Sequence, residues 1–313
     1  MRTDSRPLTS SRVGIFGKGG SGKSTVTVLL ARALRKRGYE VCVLDADSTN
    51  VGLHRAFGLE DSPDSLVEYF GGMVFSGGAV TCPVDDPTPL PEAEIAIEDL
   101  PSRFVARSRD GIWLVAAGKM GDRGPGAGCD GPMAKIARDL RLHLKHGECV
   151  TLLDFKAGFE DSARGVLVGL DQAVVVVDPT SAAVQMAINM SDLVHRIQDG
   201  DPPATAHLEN PDLVAAARSL YRQARIQRVL VVLNRVELES SRHLTELLAR
   251  RDLHPAARIH LDPSISTSWL MGDRLETQQA QKDVQDLVDA LEMRSQTPRH
   301  RPLEVPVHPA LTY

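Results

Sequence analysis

Short runs dominated by apolar residues recur along the chain, at residues 13–16, 40–44, 111–118, 148–154, 172–177, 227–233 and 257–260. In most of them, as at 41–44 and 173–177, apolar residues follow one another without polar alternation, the pattern of strands covered on both faces. Between the runs lie stretches with apolar positions at helical spacing: 23–37, 133–144, 181–197, 213–224, 237–251 and 282–293. Strand–helix alternation of this kind predicts an α/β fold: a mostly parallel twisted sheet with helices on both faces. Ligands of such sheets sit at the carboxyl ends of the strands. The rhythm breaks across residues 54–111, which hold a short capped helix at 64–70, two Gly-Gly pairs and a run of prolines from Pro83 to Pro91. This stretch reads as an insertion between the second and third strands. Residues 1–11 and 296–313 read as a flexible N-terminus and a disordered tail around one domain at 12–295.

The first strand runs into Gly17-Lys18-Gly19-Gly20-Ser21-Gly22-Lys23-Ser24-Thr25, and a helix leaves it. The stretch satisfies G-x-x-x-x-G-K-[ST] in the strand–loop–helix setting that a phosphate-binding loop needs. Its glycines let backbone N–H groups turn inward around phosphates, and the helix starting at Lys23 aims its positive end at the same anion. Lys23 is therefore assigned to the β- and γ-phosphates of ATP and the Ser24 hydroxyl to Mg²⁺. Thr25 caps the helix or touches the α-phosphate. The second strand ends in Asp45-Ala46-Asp47, the fourth in Asp154, and the sixth in Asn234-Arg235. Carboxylates at such strand ends face the ligand crevice and suit Mg²⁺-bound waters or the orientation of an attacking water. An aspartate before a helix can equally be a cap. The Asn234 amide can donate to and accept from an adenine edge, or it can simply serve a turn.

Composition narrows the function classes. The 313 residues are 42% hydrophobic, enough for the core of one large α/β domain. A net charge of -5 without a lysine-rich block speaks against a nucleic-acid partner. The four cysteines, Cys42, Cys82, Cys129 and Cys149, form no C-x-x-C, which fits a reducing cytoplasm. Cys42 falls within the second strand and reads as core. No run reaches the roughly 18 apolar residues of a membrane span, and no apolar signal core opens the chain. The polar face of 282–293 is acidic, with Asp283, Asp286, Asp289 and Glu292, whereas a membrane-surface helix should be basic.

Lys18, just after the first glycine, is a second lysine that an ordinary phosphate loop does not need. With it the loop resembles the deviant K-G-G-x-G-K-[ST] ATPases: MinD/ParA proteins, the nitrogenase iron protein, arsenite and tail-anchor ATPases, and the CO-dehydrogenase nickel-insertion ATPases. The resemblance covers about residues 12–295. It implies a P-loop ATPase domain in which Lys18 reaches across a two-fold homodimer to the partner's nucleotide. It also implies that Asp47 polarises the attacking water while Asp45 and Asp154 hold metal-bound waters. Gly158 of the second switch, Asn234, Arg235 and Asp262 then complete the nucleotide-binding set, with His260 where the family has a proline.

A glycine- and proline-rich stretch, 120–132, carries Cys129 just ahead of a helix, a setting that favours thiolate. It is similar to P-G-x-G-C-x-G of the nitrogenase iron protein and to G-C-x-C of the nickel-insertion ATPases. The resemblance implies a soft-metal site at Cys129 on the dimer axis, for Ni, Zn or an Fe–S cluster. Gly131 stands where the second cysteine of C-x-C would be. A dimer then supplies two thiolates where a tetrahedral soft-metal site wants about four ligands. Asp130, Cys82 or a client protein would complete the set; otherwise Cys129 is a structural or interface cysteine. Lys156 in the second switch departs from the family and would pair with Asp130 or with a client carboxylate. No cysteine stands near Asp161 or Ser162, which counts against an iron-protein-like reductase. The expected function is an ATP-dependent dimeric switch that assists metal-centre assembly in a client metalloprotein. The alternative is a MinD/ParA-type spatial organiser without metal.

Overall fold

The computed structural model describes residues 6–74, 77–119, 130–200 and 210–293. Its strands are β1 (Arg12–Gly17), β2 (Val41–Ala46), β3 (Glu94–Ala96), β4 (Ala106–Arg107), β5 (Trp113–Ala116), β6 (Arg141–His143), β7 (Val150–Phe155), β8 (Gln172–Val177), β9 (Arg228–Val236) and β10 (Pro255–His260). Eight of them form one sheet in the order β10-β9-β8-β1-β7-β2-β5-β4, while β3 and β6 pair separately. Every neighbouring pair in the large sheet is parallel except β4 on β5, which closes one edge antiparallel. The unbroken apolar runs explain this: β1, β2, β7 and β8 are buried at every position.

The helices are α1 (Lys23–Lys36), α2 (Leu53–Ala56), α3 (Leu66–Tyr69), α4 (Gly131–Asp139), α5 (Glu160–Ala163), α6 (Ser181–Gln198), α7 (Pro211–Arg222), α8 (Leu238–Ala249), α9 (Pro263–Met271), α10 (Ala280–Asp283) and α11 (Gln285–Glu292). They cover both faces of the sheet. Leu29, Leu30 and Leu34 of α1 pack with Leu287, Val288 and Leu291 of α11 on one face. Ile136 of α4, Met190 of α6 and Leu244 of α8 fill the other, where the rings of Phe16 and Phe155 stack at 4.6 Å. Alternate residues of β1 therefore feed opposite cores, Val13 and Ile15 into one and Phe16 into the other.

Three expectations change here. The helix expected over 133–144 ends at Asp139, and β6 begins at Arg141. Apolar residues at 140 and 142 fit a helix face or a strand equally well. The choice is made by pairing, since β6 lies in register with β3 and the Arg141 N–H donates to the Ala93 carbonyl at 2.7 Å. The second change is α9, which starts within the residues around Asp262 that were expected only to contact the nucleotide. Asp262 caps it by accepting from the Ser264 N–H, and Pro263 takes its first position, the arrangement expected of an Asp-Pro start. The short helix at 64–70 is tighter than expected: α3 spans Leu66–Tyr69, capped by Ser65. Among the described residues no helix is long and apolar enough to cross a membrane.

Candidate nucleotide site

β1 enters the phosphate loop between β7 and β8, at the centre of the sheet. Gly20 and Gly22 take φ of 76° and 93°, left-handed values that glycine adopts without cost. A side chain at Gly22 would also collide with the Asn234 amide, which donates to the Ser21 carbonyl at 2.8 Å. Asn234 is thus a strut under the loop. Arg235 stands next to it with φ of 56°, unusual for a residue with a side chain. Its guanidinium reaches the Gly20 carbonyl at 2.6 Å and Asp178 at 3.2 Å. Asp178 also takes the Lys18 ammonium at 3.3 Å. Lys18 therefore lies along its own chain, about a third exposed.

A cavity of about 570 Å³ opens over the loop. Gly19, Gly22, Lys23, Ser24 and Thr25 form its floor, Asp47 and Asn50 one wall, Asn234 and Arg235 another, and Leu261, Ile265 and Trp269 its far end. The volume suits a nucleotide-sized ligand, polar at the glycines and apolar at α9. Trp269 had no role in the sequence reading, yet its indole N–H donates to Thr25 Oγ1 at 2.9 Å. Asp262 lines the cavity too, but its carboxylate is engaged with its own chain. Burial pushes that carboxyl up, while hydrogen bonds from Ser264 and from the N–H groups of Gln279, Gln278 and Ala280 outweigh it and hold it at about 2.

The acidic residues divide by partner. Asp154, fully buried, accepts from Ser24 Oγ at 2.7 Å and from Thr27 Oγ1 at 3.1 Å. Burial pushes its carboxyl up to about 6, against those hydrogen bonds and Lys23. Burial likewise lowers the Lys23 ammonium, with Asp154 and Asp47 opposing. Asp47 Oδ1 accepts from the Thr49 N–H, the Thr49 hydroxyl and the Asn50 N–H. Asp45 does not line the cavity; its carboxylate pairs with Lys119 at 2.6 Å. Burial pushes Asp45 up, and the Lys119 ammonium works against that shift. Asn50, from the same turn, donates to Ser24 Oγ at 2.8 Å. The Ser24 hydroxyl and the Asp154 carboxylate beside it are oxygen ligands, which fit a hard cation such as Mg²⁺. Ser21 Oγ is buried without a hydrogen-bond partner among the described residues, and Ser21 does not line the cavity.

The second switch follows β7. The Gly158 N–H donates to the Gly17 carbonyl at 3.3 Å, with φ of 101°. Lys156 finds Asp130, one of the two partners expected for it, at 2.6 Å. The other Asp130 oxygen accepts from the Ser48 hydroxyl at 2.7 Å. Asp130 therefore joins the loop after β2 to the loop after β7. Cys129 lies outside the described residues. Cys42 and Cys149 are buried core thiols, and Cys82 is half-buried with its sulfur packed where a Gly131 side chain would be.

The CobQ/CobB/MinD/ParA nucleotide binding domain profile matches residues 15–274. The chain belongs to that family. An uncharacterized ATP-binding protein of Methanocaldococcus jannaschii is 35% identical over 189 residues, covering 59% of this chain and 74% of its own. The carbon monoxide dehydrogenase accessory protein CooC of Rhodospirillum rubrum is 31% identical over 184 residues, covering 58% and 68%. Among solved structures, the Aquifex aeolicus MinC:MinD cell division protein complex superposes with a TM-score of 0.59 at 17% identity, covering 93% of this chain and 98% of that one. The fold is thus that of MinD/ParA P-loop NTPases, as expected, and the sequence relatives include a CooC protein.

Proposed function

We propose that this protein is an ATP-hydrolysing homodimeric switch that assists metal-centre assembly in a client metalloprotein. The observation that carries the reading is the phosphate loop with its second lysine, Lys18, beside a cavity walled by Asp47. ATP would lie with its phosphates over Gly19–Thr25 and its base toward Trp269 and Ile265. Lys23 meets the β- and γ-phosphates, and Asp47 orients a water for in-line attack. Phosphoryl transfer of this kind needs positioning and charge neutralisation more than covalent chemistry. Mg²⁺ supplies part of that neutralisation when bound, with Ser24 Oγ and Asp154 as the residues to hold it or its waters. Lys18 leaves Asp178 to meet the nucleotide of a second copy. Exposed Val51, Leu270 and Met271, 75%, 84% and 65% accessible, sit on the turn and helix that line the cavity, and the closing of two copies would cover them.

The metal part of the reading rests on Cys129 and on the CooC relative. Cys82 adds support: the missing side chain of Gly131 makes room for its sulfur two residues along the chain from Cys129. A thiol arriving from Cys82 would compensate for the cysteine that Gly131 replaces and bring a dimer to four thiolates. Anaerobic titration with Zn²⁺ and Ni²⁺, with and without ATP, tests this on the native protein, Cys129→Ser and Cys82→Ser. Stoichiometric binding to the native protein, weakened in both variants, supports it. Absence of binding would return the protein to the organiser reading, which its MinD-like fold also accommodates.

A further inference from the structure

We propose that Lys119 is a positioning residue for hydrolysis, holding the turn at residues 47–50 in the shape that aims Asp47 into the cavity. The proposal rests on the ATPase reading above and adds to it a residue that no phosphate-loop motif contains. Lys119 follows β5, the strand beside β2. Its ammonium donates to Asp45 Oδ2 at 2.6 Å, to the Asp47 carbonyl at 2.6 Å and to the Asn50 carbonyl. An ammonium has three N–H donors, so these acceptors saturate it. Two of the three are backbone oxygens at either end of one tight turn, which a counter-ion for Asp45 alone would not need.

The turn is organised around that anchor. Asp47 Oδ1 accepts from the Thr49 and Asn50 N–H groups, which folds the carboxylate back over its own loop. Oδ2 takes no hydrogen bond from the described residues, and Asp47 lines the cavity. Fixing the Asn50 carbonyl also places the Asn50 amide on Ser24 Oγ, at 2.8 Å. One half-buried ammonium thereby sets the backbone under the water-orienting carboxylate and, through Asn50, touches the hydroxyl assigned to the cation. A misplacement of about 1 Å at such a group costs on the order of a hundredfold in rate.

The test combines steady-state ATPase kinetics with hydrogen exchange of the nucleotide-free protein, on the native chain, Lys119→Met, Lys119→Arg and Asp45→Asn. Lys119→Met is expected to lower kcat at least about tenfold with KM for ATP changed by less than about threefold, the signature of a group that acts on the transition state. The Asn50 amide should exchange at least about tenfold faster, as local opening becomes easier. Asp45→Asn leaves both carbonyl contacts of Lys119, so Asn50 exchange should stay near native. Native kcat in Lys119→Met overturns the proposal. So does Asp45→Asn loosening Asn50 as much as Lys119→Met does, because the lysine would then act only through the charge of Asp45. Should Lys119→Met fail to fold, Lys119→Arg carries both readouts, since a planar guanidinium cannot converge on three acceptors as an ammonium does. A native protein that binds but never hydrolyses ATP defeats the ATPase reading, and the exchange arm still decides whether Lys119 holds the turn.

Discussion

At the scale of single residues, the candidate site is a set of buried carboxylates held by hydroxyls and lysines. Asp154 carries a consequence for pH. Its carboxyl titrates at about 6 in the fold and near 3.9 in an unfolded chain. Between those values the folded protein holds a proton that the unfolded chain has lost, so this group makes stability fall as pH rises from about 4 to about 6. The cost above that window is on the order of 3 kcal/mol. Asp154→Asn should therefore raise the apo-protein's Tm at pH 7.5 and leave it nearly unchanged at pH 4, while abolishing Mg²⁺-dependent hydrolysis. Paired thermal melts at the two pH values check this, and an equal shift at both would defeat it. Lys23, Ser24, Asp47 and Asp154 were legible from the sequence because each stands at a fixed offset from a glycine or a strand end. Lys119 and Trp269 were not. Neither belongs to a local pattern, and each reaches the site from another strand or helix, 74 and 244 positions from the partner it meets.

At the scale of elements, α4 shows how a helix can be fixed at both ends by groups remote in sequence. The Arg12 guanidinium, buried in β1, donates to the Ala137, Arg138 and Gly169 carbonyls. It thereby satisfies carbonyls that a helix C-terminus leaves open. Arg12→Met removes those donors and strands two buried acceptors, the Ala137 and Gly169 carbonyls, while Arg141 still serves the Arg138 carbonyl, at an expected cost of about 3 kcal/mol; denaturant unfolding measures it. At the other end, Gly131→Ala drives a methyl into the Cys82 sulfur. That overpacking should cost about 1–3 kcal/mol, with most of it recovered in the Gly131→Ala, Cys82→Gly double variant. No recovery would mean that the cost arises elsewhere. The ends of α4 also explain a limit of sequence reading. Apolar spacing alone could not say where the helix stops, because the apolar residues at 140 and 142 suit a continued helix or a strand alike, and only β3, distant in sequence, decides. The Asp262-Pro263 start of α9 is a local signal, an Asp cap followed by a proline at the first helical position.

At the scale of the whole molecule, the fold was the most legible layer. Each interior strand is covered on both faces, so burial is written into its residues one after another, as in β8, where every position from Gln172 to Val177 is buried. Assembly is different, since a face meant for a second copy looks like any other surface in sequence. If Lys18 acts across a dimer, Lys18→Ala should bind ATP with near-native affinity yet remain monomeric with it, and hydrolyse at least about a hundredfold more slowly. Size-exclusion chromatography with light scattering decides, and a variant that still dimerises with ATP would falsify the assignment. Asp130 offers a last consequence. One of its oxygens reads the loop after β2 and the other the loop after β7. A carboxylate shared this way works as a coincidence detector: it is fully satisfied only when both loops stand in place, and losing either leaves half of it bare. Were bound phosphates to move either loop, the two movements would meet on this single side chain.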